Sequence, residues 1–335
     1  MVNVPITGVA VACVALLTAV LTLAAPTRAE EPGGIRTQST DSNVVVMDGD
    51  RPVLEYVCGK ELFKPYVKQF LSPNGVNFLR DNVADHIHHH GLMFAVGIDG
   101  VDFWSETKTS GREVHRSFEA ATAGAVAGER KVAGLAEHLD WAAPGQDKPL
   151  AGEIRSITVH TGSVGGTPLG ATLLTWRSVL QPAEGRASVK LSGSHYFGLG
   201  MRFLKSMDGA SDFFTSKGKV DGNVVRGDER LTPGAWCAYA AEADGKCVTV
   251  AMFDSPGNPR PILWFTMAKP FAYLSATVNL YREPLVIEAD KPLTLRYGVA
   301  VWDGKVGADV IEKLYRRWLE LEPQKAEPTA KPGKS

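Results

Sequence analysis

Residues 171–180 read Ala171-Thr172-Leu173-Leu174-Thr175-Trp176-Arg177-Ser178-Val179-Leu180, a run of aliphatic, β-branched and aromatic side chains that begins directly after Gly170. Runs of this kind, bounded by Gly, Pro, Asn or Asp, are typical of β-strands. The pattern recurs in further stretches of the chain: 43–47, 53–57, 154–161, 187–192, 235–239, 248–253 and 293–302. The sequence therefore predicts an all-β fold.

The turn residues indicate how these strands are arranged. The 335 residues include 34 Gly and 20 Pro, which suits many tight turns between antiparallel strands. No repeat of roughly 20 to 50 residues is visible, so neither a propeller nor a solenoid is indicated. We predict one large antiparallel β-sandwich domain over residues 42–322. The Ala-, Gly- and charge-rich stretch 124–147 is predicted to be either a long surface hairpin or an insertion beside a binding face.

One helix is predicted near the C-terminal end. Residues 308–321 place apolar side chains, among them Ile311, Leu314 and Trp318, on one face at helical spacing, and Glu322-Pro323 ends the helix. We expect it to pack on the edge of the sandwich. Residues 323–335 are rich in Lys and Pro and are predicted to be a disordered tail.

The first 29 residues have the layout of a signal peptide. An apolar run over residues 9–25 is followed by Thr27 and Ala29 at the minus-three and minus-one positions of a cleavage site. The run is also just long enough for an uncleaved membrane anchor, which stays open as an alternative. Both alternatives export the rest of the chain, so we predict a periplasmic or secreted protein. Residues 30–41 are polar and Gly-rich and are predicted to be a linker.

Charge and cysteine content limit the class of protein. The chain has 36 basic and 37 acidic residues and a net charge of −1, which leaves no basic stripe for nucleic acid. No stretch after the leader is apolar enough to span a membrane. Cys237 and Cys247 flank a predicted hairpin turn and are either bridged in an oxidising compartment or free. Cys58 is predicted to be a structural core residue.

A histidine cluster is the strongest functional signal. Residues 85–91 read Asp85-His86-Ile87-His88-His89-His90-Gly91 and hold four of the chain's eight histidines. Imidazole suits proton transfer near neutral pH and is a common metal ligand. Structural, hydrogen-bonded histidines are the alternative, but packing needs explain one such ring better than four. We therefore name His86, His88 and His89 as catalytic candidates.

An extended chain would fix the geometry of this cluster. Side chains alternate along a strand, so His86, His88 and His90 would share one face and His89 would point the other way. His86 and His88 would then be placed to bind one divalent ion, such as zinc, with His195 or Asp102 completing its shell. Without a metal, the same histidines would act as acid, base or hydrogen-bond donors.

The segment after the histidines offers groups that suit a sugar site. Such a site needs aromatic faces for the apolar side of the ring and polar groups for its hydroxyls. Trp104 and Glu106 are predicted to bind substrate, and Asp102 is predicted to act in acid–base catalysis. The alternatives are a core tryptophan at 104 and an ordinary strand-end residue at 102.

Later stretches add further candidates. His195 begins a strand in which Gly198 and Gly200 leave room for a ligand or a neighbouring backbone, and we name it as a catalytic candidate. The substrate-binding candidates in this half of the chain are Arg202, which has a bidentate guanidinium, and Asn258 and Arg260 in a loop. His115, His138 and His160 lack supporting neighbours and are predicted to be surface residues.

Several blocks of the sequence together resemble those of one family. They are Pro65-Tyr66, Ser72-Pro73-Asn74-Gly75, Asp85-His86-Ile87-His88-His89-His90-Gly91-Leu92, Gly100-Val101-Asp102-Phe103-Trp104, His195-Tyr196-Phe197-Gly198-Leu199-Gly200-Met201-Arg202-Phe203, Ala235-Trp236, Phe253-Asp254-Ser255-Pro256-Gly257-Asn258-Pro259-Arg260, and Leu293, Arg296 and Tyr297 with Asp303-Gly304. In this order, over roughly residues 44–320, the chain resembles an exported bacterial family catalogued as "methane oxygenase PmoA". His86, His88 and His89 match the family pattern, whereas Ile87, His90 and Ser255 stand where the family commonly has Pro, Arg and His.

The resemblance implies a β-sandwich, similar to the mutarotase-like supersandwich, and a carbohydrate-active protein. It does not imply methane oxidation, because a membrane subunit of methane monooxygenase needs several apolar spans of about twenty residues and this chain has one. We therefore predict an exported enzyme that acts on a glycan or glycoside by hydrolysis, elimination or epimerisation. The alternative is a carbohydrate-binding module without catalysis.

Overall fold

The described part of the chain is built mainly of β-strands. The computed structural model describes Met1 and residues 34–84, 86–119, 130–164, 167–220 and 223–321. Within these residues the strands are, in chain order, Ile35–Ser39 (β1), Asn43–Asp48 (β2), Arg51–Val57 (β3), Tyr66–Phe70 (β4), Leu92–Ala95 (β5), Gly97–Ile98 (β6), Val101–Asp102 (β7), Arg112–Phe118 (β8), Arg130–Ala142 (β9), Ala151–Val164 (β10), Thr167–Pro168 (β11), Thr172–Pro182 (β12), Ser188–Ser192 (β13), Gly198–Arg202 (β14), Phe214–Thr215 (β15), Gly218–Lys219 (β16), Val224–Arg226 (β17), Glu229–Pro233 (β18), Trp236–Ala243 (β19), Lys246–Asp254 (β20), Leu263–Met267 (β21), Tyr273–Thr277 (β22), Leu285–Glu288 (β23) and Leu293–Asp303 (β24). A 3₁₀ turn covers Lys205–Met207, and the α-helix α1 covers Ala308–Glu320.

Two large antiparallel sheets contain most of these strands. The first sheet has the order β1-β2-β3-β4-β5-β14-β22-β21-β18-β17, and the second has the order β16-β15-β19-β20-β24-β12-β10-β9-β8, with β11 on β10. A small third sheet has the order β23-β13-β6-β7. The prediction of an all-β fold with large antiparallel sheets and a C-terminal helix is confirmed.

The main core lies between the first and second sheets. Alternate residues of β12, Leu174 and Trp176, are fully buried there, and Leu199 and Met201 of β14 face them from the first sheet. Each such side chain contributes roughly 1.5–3 kcal/mol when it leaves water. The residues between them in sequence point away from this core, which leaves each sheet an outer face that needs cover.

Helix α1 covers the outer face of the second sheet. Its residues Ile311, Leu314 and Trp318 are buried against that face. The prediction that the helix packs on the edge of the sandwich is wrong. Small residues on neighbouring central strands, Ala251 of β20 and Ala300 of β24, pair directly and leave room for the helix on the face itself.

The outer face of the first sheet is covered by loops instead of a helix. Phe94 of β5 points into the main core, whereas its neighbours Met93 and Ala95 point outward. The outward residues form a separate apolar cluster with Phe265, Tyr273 and residues of the connecting loops. This face carries the candidate site.

Two segment predictions need correction. Part of the predicted linker 30–41 forms β1, because Ile35 is buried and the strand pairs with β2. The described part of the stretch 124–147 includes β9, which forms long hairpins with β8 and β10 in the second sheet, but Leu135 and Trp141 of this strand are buried in the core, so it is neither confined to the surface nor an insertion. The predicted leader and the predicted C-terminal tail lie outside the described residues.

The cysteines of the hairpin β19–β20 are free thiols. Cys237 pairs with Met252 and Cys247 pairs with Glu242, so the two cysteines stand five residues apart along the ladder. At about 3.3 Å per residue this is roughly 17 Å, far beyond the reach of a disulfide. Cys58 is buried, which confirms its prediction as a core residue.

The three histidines predicted at the surface differ in burial. His138 is partly exposed, with 43% of its side chain accessible, His115 is half-buried against Glu137, and His160 is buried beside Thr175. No helix among the described residues is long and apolar enough to cross a membrane.

Candidate functional site

The histidine segment forms a turn on the outer face of the first sheet. The backbone N–H of His86 donates to the carbonyl of Val83 at 3.0 Å, and that of His89 donates to the carbonyl of His86 at 2.8 Å. The chain is therefore folded back here, and the prediction that side chains alternate from 86 to 90 is wrong. The turn brings His86, His88 and His89 together and sends His90 elsewhere.

The three clustered rings are close neighbours. The ring centroids of His86 and His89 are 4.8 Å apart, those of His88 and His89 are 4.6 Å apart, and those of His86 and His88 are 5.9 Å apart. They line a cavity of about 240 Å³. Its walls are formed by His86, His88, His89, Trp104, Tyr196, Arg226, Glu229, Phe265, Met267, Phe271 and Tyr273.

The register of the first sheet explains how distant residues meet in this cavity. Met267 of β21 pairs with Tyr273 of β22, and Arg230 of β18 pairs with Thr266 of β21. In an antiparallel ladder this places Glu229 level with Met267, so Glu229, Met267 and Tyr273 form one row across three strands. Two strand spacings separate the ends of this row, or roughly 10 Å.

Aromatic rings form much of the wall. The Trp104 ring stacks on Phe197 at 5.0 Å with an interplanar angle of 10°, and Tyr196 meets its edge at 5.3 Å. The His89 ring lies 5.0 Å from Tyr273 and 5.5 Å from Phe271. Trp104 is thus both a core residue and a wall of the cavity, so the two alternatives for it are not exclusive.

Three polar atoms on this wall are buried without a hydrogen-bond partner among the described residues. They are the indole Nε1 of Trp104, the hydroxyl oxygen of Tyr273 and Nδ1 of His89. Leaving such an atom unpaired costs about 1–3 kcal/mol. Three of them on one cavity indicate a surface built to bond a ligand.

Burial keeps two of the clustered histidines neutral. The pKa of His89 is lowered to about 2, first by burial and then by the positive charge of neighbouring groups such as His88 and Arg202. Burial, together with the nearby Lys64 ammonium, also lowers the pKa of His88. Both rings can therefore accept a hydrogen bond at neutral pH, whereas His89 is too weak a base to accept a proton there.

His90 belongs to a separate ionic chain beneath the turn. Its Nδ1 donates to Asp81 at 2.8 Å and its Nε2 donates to Glu106 at 2.9 Å, while the ring stacks on Tyr66 at 4.3 Å. Burial lowers the pKa of His90, but the two carboxylates outweigh it and the net shift is upward. His90 is thus a charged anchor of the turn.

Lys64 continues this chain toward Trp104. The fully buried ammonium donates to Glu106 at 2.7 Å and to the carbonyl of Trp104 at 3.0 Å. Glu106, predicted to bind substrate, is therefore occupied by Lys64 and His90. Glu106 thereby holds the histidine turn against the loop that carries Trp104.

A carboxylate faces the cavity from the far end of the row. Glu229 accepts from Nε2 of His195 at 3.1 Å and from Arg226 at 2.6 Å. His195 is thus connected to the cavity through Glu229 rather than lining it. The loop before β14 that carries His195 is held by Ser275, whose hydroxyl donates to the carbonyl of Tyr196 at 2.9 Å.

Two other predicted residues lie close to the cavity but are not among those that line it. Asp102 Oδ1 accepts from the backbone N–H groups of Trp104 at 2.7 Å and Ser105 at 3.2 Å, which shapes the loop that carries Trp104. The guanidinium of Arg202 is buried, 3.5 Å from the centroid of the Phe271 ring. Each supports a wall residue.

Asn258 and Arg260 have partners outside the cavity. The Asn258 amide donates to Asp254 at 2.8 Å and to the carbonyl of Arg296 at 3.0 Å. Arg260 donates to the backbone and side chain of Glu283. These contacts fasten the loop after β20, and the cavity walls do not include either residue.

Sequence reasoning missed much of the cavity wall. Glu229, Phe265, Met267 and Tyr273 come from strands far from the histidines in sequence, Phe271 comes from the connection between β21 and β22, and none belongs to a motif. One signal pointed to Tyr273: Gly200. A Cβ there would lie 2.0 Å from the Tyr273 hydroxyl, so the glycine predicted to admit a close neighbour admits the Tyr273 ring.

In the described part of the chain, His86 and His88 do not belong to a set of three metal-binding side chains whose ligand atoms lie close together. Among the described residues, one set of three metal-binding side chains has its ligand atoms within 4.8 Å of one another, and this set is Cys58, His115 and Glu137, away from the cavity. His86 and His88 could each offer a nitrogen from the turn. A metal there stays a prediction.

Solved structures with a similar fold were found at low identity. GH36 alpha-galactosidase AgaB from Geobacillus stearothermophilus is 9% identical with a TM-score of 0.49, and the match covers 84% of this chain and 43% of that one. A putative mutarotase (YeaD) from Salmonella typhimurium is 12% identical with a TM-score of 0.28, covering 81% of this chain and 94% of that one. The chain therefore spans less than half the length of the galactosidase. No curated protein matches the chain.

One family profile matches most of the chain. It covers residues 43–316, and the family is described as a "Family of unknown function (DUF6807)". This match does not test the resemblance to the methane oxygenase PmoA family, which stays a prediction. Because the matched region includes nearly all the described strands and the whole cavity, the protein belongs to the family of unknown function DUF6807.

Proposed function

We propose that this protein is an exported enzyme that acts on a glycan or glycoside in the histidine-lined cavity. The observation that carries the proposal is the set of three buried polar atoms without a partner on the aromatic wall of that cavity. A bound sugar would supply the missing hydrogen bonds through its hydroxyls.

The cavity wall offers aromatic rings and polar atoms, which match the two kinds of surface of a sugar. A sugar ring has apolar C–H faces that pack on aromatic rings and a rim of hydroxyls that need donors and acceptors. Here the Trp104 indole N–H can donate, His89 Nδ1 can accept when its proton is on Nε2, and the Tyr273 hydroxyl can do either. A volume of about 240 Å³ lies just below the usual range for small-molecule pockets, roughly 300–1,000 Å³, and fits one sugar unit better than a larger ligand.

Proton transfer is the chemistry that the cavity supports. His88 is neutral and half-buried beside His86, so it can take a proton from a substrate hydroxyl or carbon. Glu229, backed by His195, lies on the same cavity at the far end of the row of strands. Both groups line this cavity of about 240 Å³, so a sugar ring bound in it would meet a base and an acid. Hydrolysis, elimination and epimerisation all use such a pair.

The low basicity of His89 favours a role in substrate binding. With a pKa of about 2, its ring is a weak base and holds its neutral form across the physiological range. We assign it to hydrogen bonding with substrate and assign proton transfer to His88 and the His195–Glu229 pair. A carbohydrate-binding module without catalysis is the second candidate, and the same inert character of His89 is the observation that favours it.

Turnover and binding measured on one panel separate the two candidates. Glycans and aryl glycosides are screened for binding by calorimetry and for products by mass spectrometry, with wild type, His88→Ala and the control His138→Ala. His138 is a partly exposed histidine that pairs with Glu119 away from the cavity. If the protein is an enzyme, His88→Ala should lower kcat by about 10²–10⁴-fold with less than tenfold loss of affinity. Binding without products on every bound glycan would contradict it and support the module.

A further inference from the structure

A second cavity lies beside the first, on the loops around the third sheet. It measures about 400 Å³, and its wall includes Asp102, Ser192, Ser194, Phe197 and Tyr281. None of these residues lines the histidine cavity. The second cavity is shallower and more open, with the Tyr281 ring 59% exposed. A large exposed aromatic ring next to serine hydroxyls and a carboxylate has the same mixture of apolar face and polar groups as the first cavity.

Three ring contacts lie between the two cavities. Phe197 lines the second cavity and stacks on Trp104, which lines the first. The His195 ring lies 5.0 Å from Tyr196 of the first cavity and 6.0 Å from Tyr281 of the second. The partition between the cavities is therefore only one or two aromatic rings thick.

A hydrogen-bond relay crosses the same partition. Nε2 of His195 donates to Glu229, which lines the first cavity, at 3.1 Å. In that tautomer Nδ1 accepts, and the hydroxyl of Ser194, which lines the second cavity, lies 3.3 Å from it. A ligand that bonds Ser194 would thus sense the same histidine that orients the Glu229 carboxylate.

The local backbone holds this second surface in place. A Cβ at Gly193 would lie 2.8 Å from the Phe197 ring, so the glycine allows the ring to fill the partition. Tyr281 stands on a turn that starts at Asn279, whose carbonyl accepts from the N–H groups of Arg282 and Glu283 at 3.2 and 3.0 Å. Leu280, next to Tyr281, is buried and anchors that turn. The exposed ring is therefore presented by a fixed turn.

We propose that the second cavity binds the adjoining sugar unit of the substrate, so that the protein acts on a glycan of two or more units rather than on a single sugar. This inference rests on the proposed function of the first cavity. Tyr281 would pack on the apolar face of the second unit, and Ser192, Ser194 and Asp102 would bond its hydroxyls. Specificity for the linkage would then be set at the Phe197 partition.

The test measures affinity against chain length. Glucose, galactose, mannose and xylose are titrated alongside their disaccharides maltose, cellobiose, galactobiose, mannobiose and xylobiose, by calorimetry on the full chain. Wild type is compared with Tyr281→Ala and with the conservative Tyr281→Phe, which keeps the ring. Because Tyr281 is exposed, neither change threatens the fold.

We expect at least one disaccharide to bind wild type about tenfold or more tightly than its monosaccharide. Tyr281→Ala should remove that gain and leave monosaccharide affinity unchanged, and Tyr281→Phe should retain it. Equal affinity for single and double units in wild type, or a gain that survives Tyr281→Ala, would overturn the second subsite alone. If no saccharide of either length binds wild type, the proposed function falls and this inference falls with it.

Discussion

The molecule contains two polar clusters that differ in how completely their hydrogen bonds are made. One lies in the core between the sheets, where the fully buried Arg155 donates to Glu113 at 2.7 Å, to Glu153 at 2.8 Å and to the carbonyl of Pro65 at 3.2 Å. The other is the histidine cavity on the outer face of the first sheet, where three buried polar atoms have no hydrogen-bond partner within the described ranges of the chain. In the core cluster one cation bonds two carboxyl groups and a single atom, Oε1 of Glu113, has no partner among the described residues, whereas the cavity wall has three such atoms.

This difference indicates the role of each cluster. Buried charges are tolerated when they are paired and bonded, and a network of that kind fixes one arrangement of the core. Buried polar atoms left open on a cavity weaken the fold and are kept where a ligand uses them. We therefore interpret the core cluster as structural and the histidine cavity as functional.

The largest effect is expected from Arg155→Ala. The change leaves Glu153 and Glu113 buried without their cation, which should lower the free energy of unfolding by about 3–5 kcal/mol. Denaturant unfolding measures it, with Arg316→Ala as control because Arg316 pairs with Glu312 on the exposed side of α1. The control should cost no more than about 1 kcal/mol. A loss below about 1 kcal/mol at Arg155 would mean that the core cluster does not depend on this pairing.

A matched pair of hydroxyl deletions compares the clusters directly. Ser178 donates to Glu153 at 2.6 Å and accepts from the indole of Trp176 at 3.0 Å, so Ser178→Ala should cost about 1–3 kcal/mol of stability. Tyr273→Phe removes a hydroxyl with no partner and should leave stability unchanged or raise it. The same change should weaken sugar binding about five- to tenfold. Equal destabilisation by both changes would contradict the distinction.

The sequence predicted some strands of the fold better than others. Residues 171–180 and 293–302 are dominated by β-branched and aromatic side chains and were predicted correctly as strands. β9 was missed because Ala133, Gly134 and Ala136 carry little β signal, and it is a strand only because β8 and β10 pair with it. Arg155 lies in the predicted strand 154–161 and Glu153 directly before it, but pattern alone could not show that these charged positions face the core.

The candidate site was predictable in part. The histidines were found from composition alone, but their turn is set by the hydrogen bonds of His86 and His89 and by the ionic chain through His90, which involve side chains far away in sequence. Glu229 and Tyr273 reach the cavity through strand register, which no local motif encodes. Asn258 and Arg260 looked functional because they are polar residues in a loop, and the structure gives them partners that fasten that loop.

A smaller effect on the free energy of unfolding is expected when the pH is lowered. The pKa of His89 is lowered in the folded state by burial, so below its ordinary value of about 6.5 the unfolded chain binds a proton that the folded chain does not. Stability should therefore fall as pH decreases from 6.5, by roughly 1 kcal/mol per pH unit for this one group. Unfolding of wild type and His89→Gln at pH 7, 6 and 5 measures the difference. Parallel profiles would show that His89 is not buried as a neutral ring.

The central claim, that the open polar atoms of the cavity wall bind a sugar, is tested most directly by the indole N–H signals of the tryptophans in ¹⁵N NMR spectra. The signal of Trp104, assigned with Trp104→Phe, is followed while the best-bound glycan from the screen is titrated to saturation. The indoles of Trp141 and Trp176, which donate to Glu153 and Ser178 in the core cluster, serve as internal controls. We predict a saturable shift of the Trp104 signal with the core signals unchanged. Saturation of the protein with glycan while the Trp104 signal stays in place would contradict the claim.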